Sequence, residues 1–243
     1  MRTNKSKVFL AAFADLIFPP ICVSCKTPIS PHYGAFCESC HKDFAKVKLL
    51  PCRHCGKEMM HCTCVSEELA LTGMYRVAKV CPYYPDRTTS PELSLLFATK
   101  RRNVDAYRLF VAREMAASLR RMNVDLNGFT VTYVPRKTAS VREYGFDHAR
   151  EISRLVAKEL GLAWEEAFYR TKDAREQKGL TRKERTKNAA TTLLPRGGIS
   201  ASGRRYIVCD DILTTGASLA ACARILTALG AKEMIGAVFA ARA

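Results

Sequence analysis

The sequence contains no apolar run near the roughly 20 residues that a membrane-spanning helix needs. A weak hydrophobic stretch follows the basic N-terminus, but Asp15 interrupts it and no small-residue cleavage site precedes Pro19 and Pro20. These features disfavour a secretory leader and predict a short amphipathic helix over residues 8–18 instead. We therefore expect a cytoplasmic protein without membrane insertion.

Acidic residues are scarce, since 23 Asp and Glu stand against 39 Lys and Arg and leave a formal net charge of +16. This excess favours polyanionic partners, such as nucleic acids or phosphorylated sugars. A basic protein without such a partner is the alternative on charge alone. Hydrophobic residues make up 48% of the 243 residues, which suits one ordinary domain and a smaller module.

Cysteine is rare after residue 64, because eight of the eleven cysteines lie between Cys22 and Cys64. They form close pairs, and a C-x-x-C turn aims two sulfurs at one point about 2.3 Å from a zinc ion. Two structural zinc sites are predicted, since four thiolates leave no open coordination position. The predicted ligands are Cys22, Cys25, Cys37 and Cys40 for the first site, and Cys52, Cys55, Cys62 and Cys64 for the second.

The second cysteine set is the weaker pattern, because its last pair is C-x-C and His54 or His61 lies close enough to replace one ligand. A disulfide framework is the alternative, but nothing in the sequence indicates export. A redox C-x-x-C is disfavoured because four pairs cluster together. The change in cysteine content predicts an N-terminal helix and double zinc ribbon over residues 1–68, followed by a globular domain over residues 69–243.

Strand and helix patterns alternate after the cysteines and predict an α/β domain, in which a parallel sheet has helices on both faces. One helix face runs from Ile152 to Leu160, with Asp147 as its candidate N-cap and Gly161 at its end. Another includes Val111 and Met122. Strands are predicted over residues 72–80, 129–134, 206–209 and 234–240, and loops over residues 82–91 and 170–188.

The chain lacks a Walker P-loop and a G-x-G-x-x-G fingerprint, so neither of those nucleotide sites is predicted. Instead, the strand pattern at residues 206–209 runs into two acids and a hydroxyl-rich turn. Adjacent carboxylates can accept hydrogen bonds from ribose hydroxyls, directly or through Mg²⁺, and such a turn before a helix suits a phosphate. An acidic strand end with a threonine helix cap is the alternative. The candidate residues are Asp210, Asp211, Thr214, Thr215, Gly216, Ala217 and Ser218.

Residues 208–218 resemble the motif with which type I phosphoribosyltransferases bind PRPP, 5-phosphoribosyl 1-pyrophosphate. The resemblance implies that Asp210 and Asp211 hold the ribose hydroxyls, with Mg²⁺ accompanying PRPP. It also implies that residues 214–218 hold the 5′-phosphate. The expected fold is therefore a type I phosphoribosyltransferase-like sheet beside a small N-terminal double zinc ribbon.

Further motifs extend this resemblance over nearly the whole chain. They are Leu16-Ile17-Phe18-Pro19-Pro20, Lys100-Arg101-Arg102, Val134-Pro135, Arg142-Glu143-Tyr144-Gly145-Phe146, Arg175-Glu176-Gln177, Leu180, Arg185 and Asn188. Together they resemble the ComF family, competence-associated bacterial proteins with a double zinc ribbon and a phosphoribosyltransferase-like domain. The chain departs from that family at Tyr144 to His148, where the family usually reads R-G-F-N-Q. The resemblance implies single-stranded DNA and the competence helicase machinery as partners.

Basic residues beside the predicted site suggest where pyrophosphate would bind. Arg136, Lys137 and Arg142 follow a predicted strand, and Arg175 and Arg185 lie in a polar segment that resembles a mobile loop closing over PRPP. A solvated linker is the alternative for that segment.

Two functions are consistent with these patterns. One is a PRPP-binding protein that serves DNA uptake, and the other is an active phosphoribosyltransferase of nucleotide or cofactor metabolism with an unidentified acceptor. The sequence reveals no acceptor pocket, and we expect the zinc module to take the place of the hood that covers the acceptor in type I enzymes. For His148, a structural role is favoured over an acid–base role.

Overall fold

The computed structural model describes residues 19–30, 34–84, 86, 89–136, 138–171 and 192–242. The helix predicted over residues 8–18, nearly all of the loop predicted over residues 170–188, and Lys137, Arg175 and Arg185 lie outside these residues. None of the described helices is long and apolar enough to cross a bilayer.

The described residues form a short ribbon-rich segment followed by alternating helices and strands, as follows. The helices are α1 (Glu38–Lys48), α2 (Glu67–Ala70), α3 (Pro91–Arg101), α4 (Asp105–Arg120), α5 (Thr138–Tyr144), α6 (His148–Leu160) and α7 (Ala217–Ala228), with a 3₁₀ turn at Met59–His61. The strands are β1 (Val77–Tyr83), β2 (Phe129–Tyr133), β3 (Ala163–Trp164), β4 (Phe168–Arg170), β5 (Leu193–Pro195), β6 (Arg205–Leu213) and β7 (Glu233–Arg242).

Five strands form one sheet in the order β1-β7-β6-β2-β3, and every neighbouring pair is parallel. The predicted α/β class with a parallel sheet is therefore confirmed. Strands β4 and β5 form a separate antiparallel pair. Because all five strands of the main sheet run the same way, the residues that follow β2 and β6 meet at one carboxyl edge.

Two strands differ from their predicted bounds by more than two residues at one end or both. Strand β1 begins at Val77 because Gly73, at φ 87°, closes a turn after α2. It continues through Pro82, which an edge strand tolerates since it needs no N–H on its free side. Strand β6 extends beyond Cys209 to Leu213, so the two acids lie inside the strand rather than after it.

Helix α6 follows its sequence signals at both ends. The Asp147 carboxylate accepts hydrogen bonds from the N–H groups of Ala149 and Arg150, at 3.0 and 3.3 Å. Gly161 ends the helix at φ 68°, a conformation that glycine adopts without cost. The predicted N-cap and terminator are thus confirmed.

The two ribbons join different hydrophobic cores of the sheet. Phe44, in α1 after the first ribbon, stacks on Phe36 and on Phe239 of β7, with ring centroids 5.4 and 6.0 Å apart. The second ribbon instead contributes Met59 and Leu69 to a core shared with α7. The boundary between residues 68 and 69 stays a prediction, but neither ribbon has a core independent of the sheet.

Candidate functional site

Each predicted set of four cysteines is brought together at one point. In both sets all four sulfurs lie within 4.8 Å of one another. The Sγ–Sγ distances include 3.6 Å for Cys25–Cys37 and 3.7 Å for Cys52–Cys64. A tetrahedron with bonds of 2.3 Å has edges of about 3.8 Å, so both clusters fit structural zinc. All eleven cysteines lie in the described part of the chain and are free, which excludes the disulfide alternative in this structure.

Neither histidine belongs to these clusters. His61 lies 3.8 Å from the Glu58 carboxylate, and His54 faces a cleft beside the second ribbon. The second cluster instead has a cation against it. The buried Lys79 ammonium of β1 donates to Cys64 O at 2.6 Å and to Cys62 Sγ at 3.2 Å. This positive charge partly offsets the −2 charge that four thiolates around Zn²⁺ would carry.

The predicted ribose acids lie at the carboxyl edge of the sheet, near the end of β6. The Asp211 carboxylate binds two side chains that approach from separate helices. Its Oδ2 lies 2.9 Å from Lys100 Nζ of α3 and 2.6 Å from His148 Nε2 of α6. Lys100 therefore belongs to the acid site, and not to a free basic turn with its neighbours Arg101 and Arg102.

The two acids differ in acidity because their partners differ. Burial would raise the pKa of Asp211, but the hydrogen bond from His148 and the charge of Lys100 hold that pKa well below its usual range. Burial and the neighbouring Asp211 charge raise the pKa of Asp210 to about 8. Asp211 is thus the more acidic of the two carboxyls.

Residues 144–148, where the sequence departs from the family pattern, make contacts within this site. The backbone N–H of Arg136, after β2, donates to Asp147 Oδ2 at 3.1 Å. The Arg136 guanidinium lies over the ring of Tyr144, 5.4 Å from its centroid. His148 is 1% exposed, and its Nδ1 has no hydrogen-bond partner among the described residues. The least costly tautomer therefore carries its hydrogen on Nε2 and donates to Asp211.

The hydroxyl-rich turn leads directly into α7. Gly216 is the residue before the helix and has φ 80°, which favours glycine there. Thr215 Oγ1 accepts a hydrogen bond from the Ala217 N–H at 3.4 Å. The N-cap itself is Gly216, so the alternative of a threonine helix cap is wrong, although Thr215 contacts the first residue of the helix. A phosphate that bound at the first turn of this helix would meet other free N–H groups.

Sequence reasoning identified both acids but not the partners of Asp211. The sequence presents Lys100 only within the Lys100-Arg101-Arg102 motif, and it favours a structural role for His148. The one sequence signal for His148 is its position next to the N-cap Asp147, because a helix start at the carboxyl edge faces the ligand side of the sheet.

If the acids hold PRPP with Mg²⁺, as the sequence predicts, replacing His148 by leucine should weaken that binding about tenfold, because Asp211 loses a hydrogen bond that orients it. His148→Gln keeps an N–H donor near the Nε2 position and should restore most of the affinity. Isothermal titration of both variants, with thermal melting as a check on folding, measures the effect. Equal losses in both variants would mean that His148 only fills space.

Two domain families match the sequence. The double zinc ribbon domain matches residues 13–81, and the phosphoribosyl transferase domain matches residues 141–243. The DNA utilization protein YhgH of Escherichia coli (strain K12) is 26% identical over 226 residues, which covers 89% of this chain and 94% of that protein.

Other similarities are shorter or more distant. Adenine phosphoribosyltransferase of Mycobacterium avium (strain 104) is 46% identical over 50 residues, which covers 21% of this chain and only 28% of that enzyme. A solved structure of the allosteric regulatory enzyme of purine biosynthesis can be aligned with this chain at 18% sequence identity and a TM-score of 0.42. The alignment covers 60% of this chain and 30% of the chain of that enzyme. The domain architecture follows from the two matched domains and from the similarity to YhgH. The chain combines a double zinc ribbon with a phosphoribosyltransferase-like domain, and it has the ComF-type architecture.

Proposed function

We propose that this protein binds PRPP with Mg²⁺ at the carboxyl edge of its sheet and acts in the cytoplasm in DNA uptake during natural transformation. The proposal rests on how the acids of β6 and the start of α7 are arranged. Two acids at the end of β6 lie directly before a hydroxyl-rich helix start, within a matched phosphoribosyl transferase domain. Acids suit ribose hydroxyls, and the helix start suits a phosphate.

Cations near these acids support a pyrophosphate subsite. The half-buried Arg136 and the exposed Arg142 lie on the segment after β2, next to β6 in the sheet. We assign pyrophosphate to them, together with Lys137, Arg175 and Arg185. Such cations would stabilise the negative charge of pyrophosphate. Titration of the protein with PRPP and Mg²⁺ tests this part directly.

The DNA part rests on charge and on similarity. The net charge is +16, and the E. coli relative is named a DNA utilization protein. We propose single-stranded DNA as a ligand and the competence helicase machinery as a partner. Arg101 and Arg102, exposed at the end of α3, are the cations that we assign to DNA phosphates. Lys100 is excluded from this set because it pairs with Asp211.

Changing Arg101 and Arg102 to alanine should make single-stranded DNA binding less sensitive to salt. Each lost phosphate contact changes the slope of log K against log[salt] by about 0.7, so the double variant should be shallower by about 1.4. All sequences should weaken alike, because backbone contacts carry no base information. Fluorescence anisotropy across a salt series measures the slope.

The matched control removes two exposed cations elsewhere, Arg224 of α7 and Lys232 just before β7. It makes the same change in net charge away from the proposed contact. Equal slopes in the two double variants would show that only net charge matters. Absence of DNA binding at low salt would leave the second candidate function, an active phosphoribosyltransferase.

That second candidate is favoured by the match of residues 141–243 to the phosphoribosyl transferase domain. In such a reaction an acceptor atom forms a bond to C1 of ribose. The C1–O bond breaks, and its electron pair leaves with pyrophosphate. Release of pyrophosphate in the presence of candidate acceptors distinguishes this function from binding alone.

A further inference from the structure

The segment to which we assign pyrophosphate begins where the pairing of strand β2 ends. Val134 directly follows β2, and its N–H still donates to Cys209 O of β6 at 2.9 Å. Pro135 comes next, is buried, and has no N–H with which to continue the pairing. The peptide that joins Pro135 to Arg136 therefore needs partners from outside the main sheet for its C=O and its N–H, because buried backbone groups are costly when unpaired.

Two side chains supply these partners from different parts of the fold. Nε of Arg170, in β4, donates to Pro135 O at 2.6 Å. On the other side of the same peptide, the Arg136 N–H donates to Oδ2 of Asp147, the N-cap of α6, at 3.1 Å. Because a peptide unit is planar, holding it at both polar groups fixes its plane and the direction in which the Arg136 side chain leaves the backbone.

The side chain of Arg136 is held as well, close to the ribose acids. Its Nη1 donates to Lys100 O at 3.4 Å, and its guanidinium lies over the ring of Tyr144, 5.4 Å from the centroid. Lys100 is also the residue whose ammonium binds Asp211. An anionic group on C1 of a ribose whose hydroxyls bind these acids would lie beside them, and thus near Arg136.

Arg170 is itself anchored, at the end of β4. Its Nη1 donates to Oγ1 of the buried Thr192 at 3.0 Å, and the Thr171 N–H donates to Thr192 O at 2.9 Å. The guanidinium fork thus bridges two chain segments with a fixed geometry, which a lysine ammonium does not provide. Arg170 is also near the acids, since burial raises the pKa of Asp210 and the charge of Arg170 acts in the opposite direction.

We propose that Arg170 is a positioning residue for the anionic group on C1 of the bound ribose, and that it acts by holding the peptide between Pro135 and Arg136. The inference rests on the proposed binding of PRPP. It adds a residue that belongs neither to the acid motif nor to the cations assigned to pyrophosphate. It also gives β4, which lies outside the main sheet, a role in the site.

Isothermal titration of Arg170→Met with PRPP, pyrophosphate and ribose 5-phosphate, each with Mg²⁺, tests this inference. PRPP and pyrophosphate should bind about tenfold more weakly than to the wild type, the effect of losing one hydrogen bond from a charged group. Ribose 5-phosphate has no pyrophosphate and should keep its wild-type affinity. Arg204→Met is the matched control, because Arg204 also binds two side chains, those of Glu165 and Thr130, but lies just before β6 at the opposite edge of the sheet.

Two further variants separate positioning from charge. Arg170→Lys keeps the positive charge but not the fork, so it should lose nearly as much PRPP affinity as Arg170→Met. When Arg136 is already alanine, adding Arg170→Met should weaken PRPP binding little further, because both changes act on the same contact. Thermal melting of each variant checks that it folds.

Full PRPP affinity in Arg170→Lys, or additive losses in the double variant of Arg136 and Arg170, would overturn the inference. An equal loss of affinity for ribose 5-phosphate in Arg170→Met would also overturn it, because the whole site would then be disturbed. If the wild type and Arg170→Met bind PRPP and pyrophosphate equally well, only the inference fails. If the wild type binds neither ligand, the proposed function fails and the inference fails with it.

Discussion

Replacing Asp210 and Asp211 together by asparagine is expected to lower the affinity for PRPP and Mg²⁺ at least about 100-fold. Each hydrogen bond between a ribose hydroxyl and a carboxylate contributes about 1.5–3 kcal/mol, and the double variant weakens two or more of them. Loss of the negative charge also removes the attraction for Mg²⁺. Isothermal titration with PRPP and Mg²⁺ measures the change.

The same substitutions also disturb a structural contact, so folding needs its own measurement. Asp211 neutralises Lys100 and binds the buried His148. Zinc content and thermal melting of the variant report whether the fold survives. Asp43→Asn with Asp125→Asn is the matched control, since it removes two exposed acids far along the chain from the site. A folded Asp210/Asp211 variant that still binds PRPP with full affinity would place the ribose site elsewhere.

Loss of the second zinc is expected to damage the proposed PRPP site, whereas loss of the first is not. Purified protein should contain two zinc ions per chain, and Cys25→Ser or Cys62→Ser should each reduce this to one. A structural zinc contributes about 10–16 kcal/mol of apparent binding energy, so a ribbon without its metal should unfold locally. Elemental analysis together with PRPP titration tests both statements.

The asymmetry follows from what each ribbon contacts. A Cβ placed on Gly216 of the hydroxyl-rich turn would lie 3.9 Å from Ser66 Oγ and 4.0 Å from Leu69, both next to the second ribbon. The first ribbon packs through α1 against Phe110 of α4 and Phe239 of β7 instead. We expect Cys62→Ser to lower PRPP affinity about tenfold. This is the effect expected if only about one molecule in ten keeps the hydroxyl-rich turn in its binding-competent conformation. Equal effects of the two variants would show that both ribbons and the sheet unfold as one unit.

The parts of this protein that could be predicted are those encoded over short stretches of chain. Cysteine spacing predicted both clusters, since a C-x-x-C turn brings its own two sulfurs together. Asp147 and Gly161 predicted the ends of α6, because caps act within one helical turn. The run from Asp210 to Ser218 placed two acids before a helix start for the same reason.

The predictions of strand bounds were wrong where a sequence pattern does not specify which strands lie next to each other in the sheet. Hydrophobic runs did not show that β6 extends through its acids to Leu213, because polar residues at a strand end read as a loop. A loop is predicted over residues 82–91 because of its prolines, although Pro82 lies in an edge strand. Edge position depends on the order of strands in the sheet, which periodicity does not encode.

The sequence alone therefore determined the α/β class, the cysteine sets and the run of acids and hydroxyls that marks the candidate site. Only the tertiary structure decided that Lys100 and His148 meet at Asp211, that the two ribbons join different cores, and that a cleft lies beside the second one. The physical reason is distance along the chain. His148 and Asp211 are 63 residues apart, and they meet because parallel strands bring their carboxyl ends to one edge.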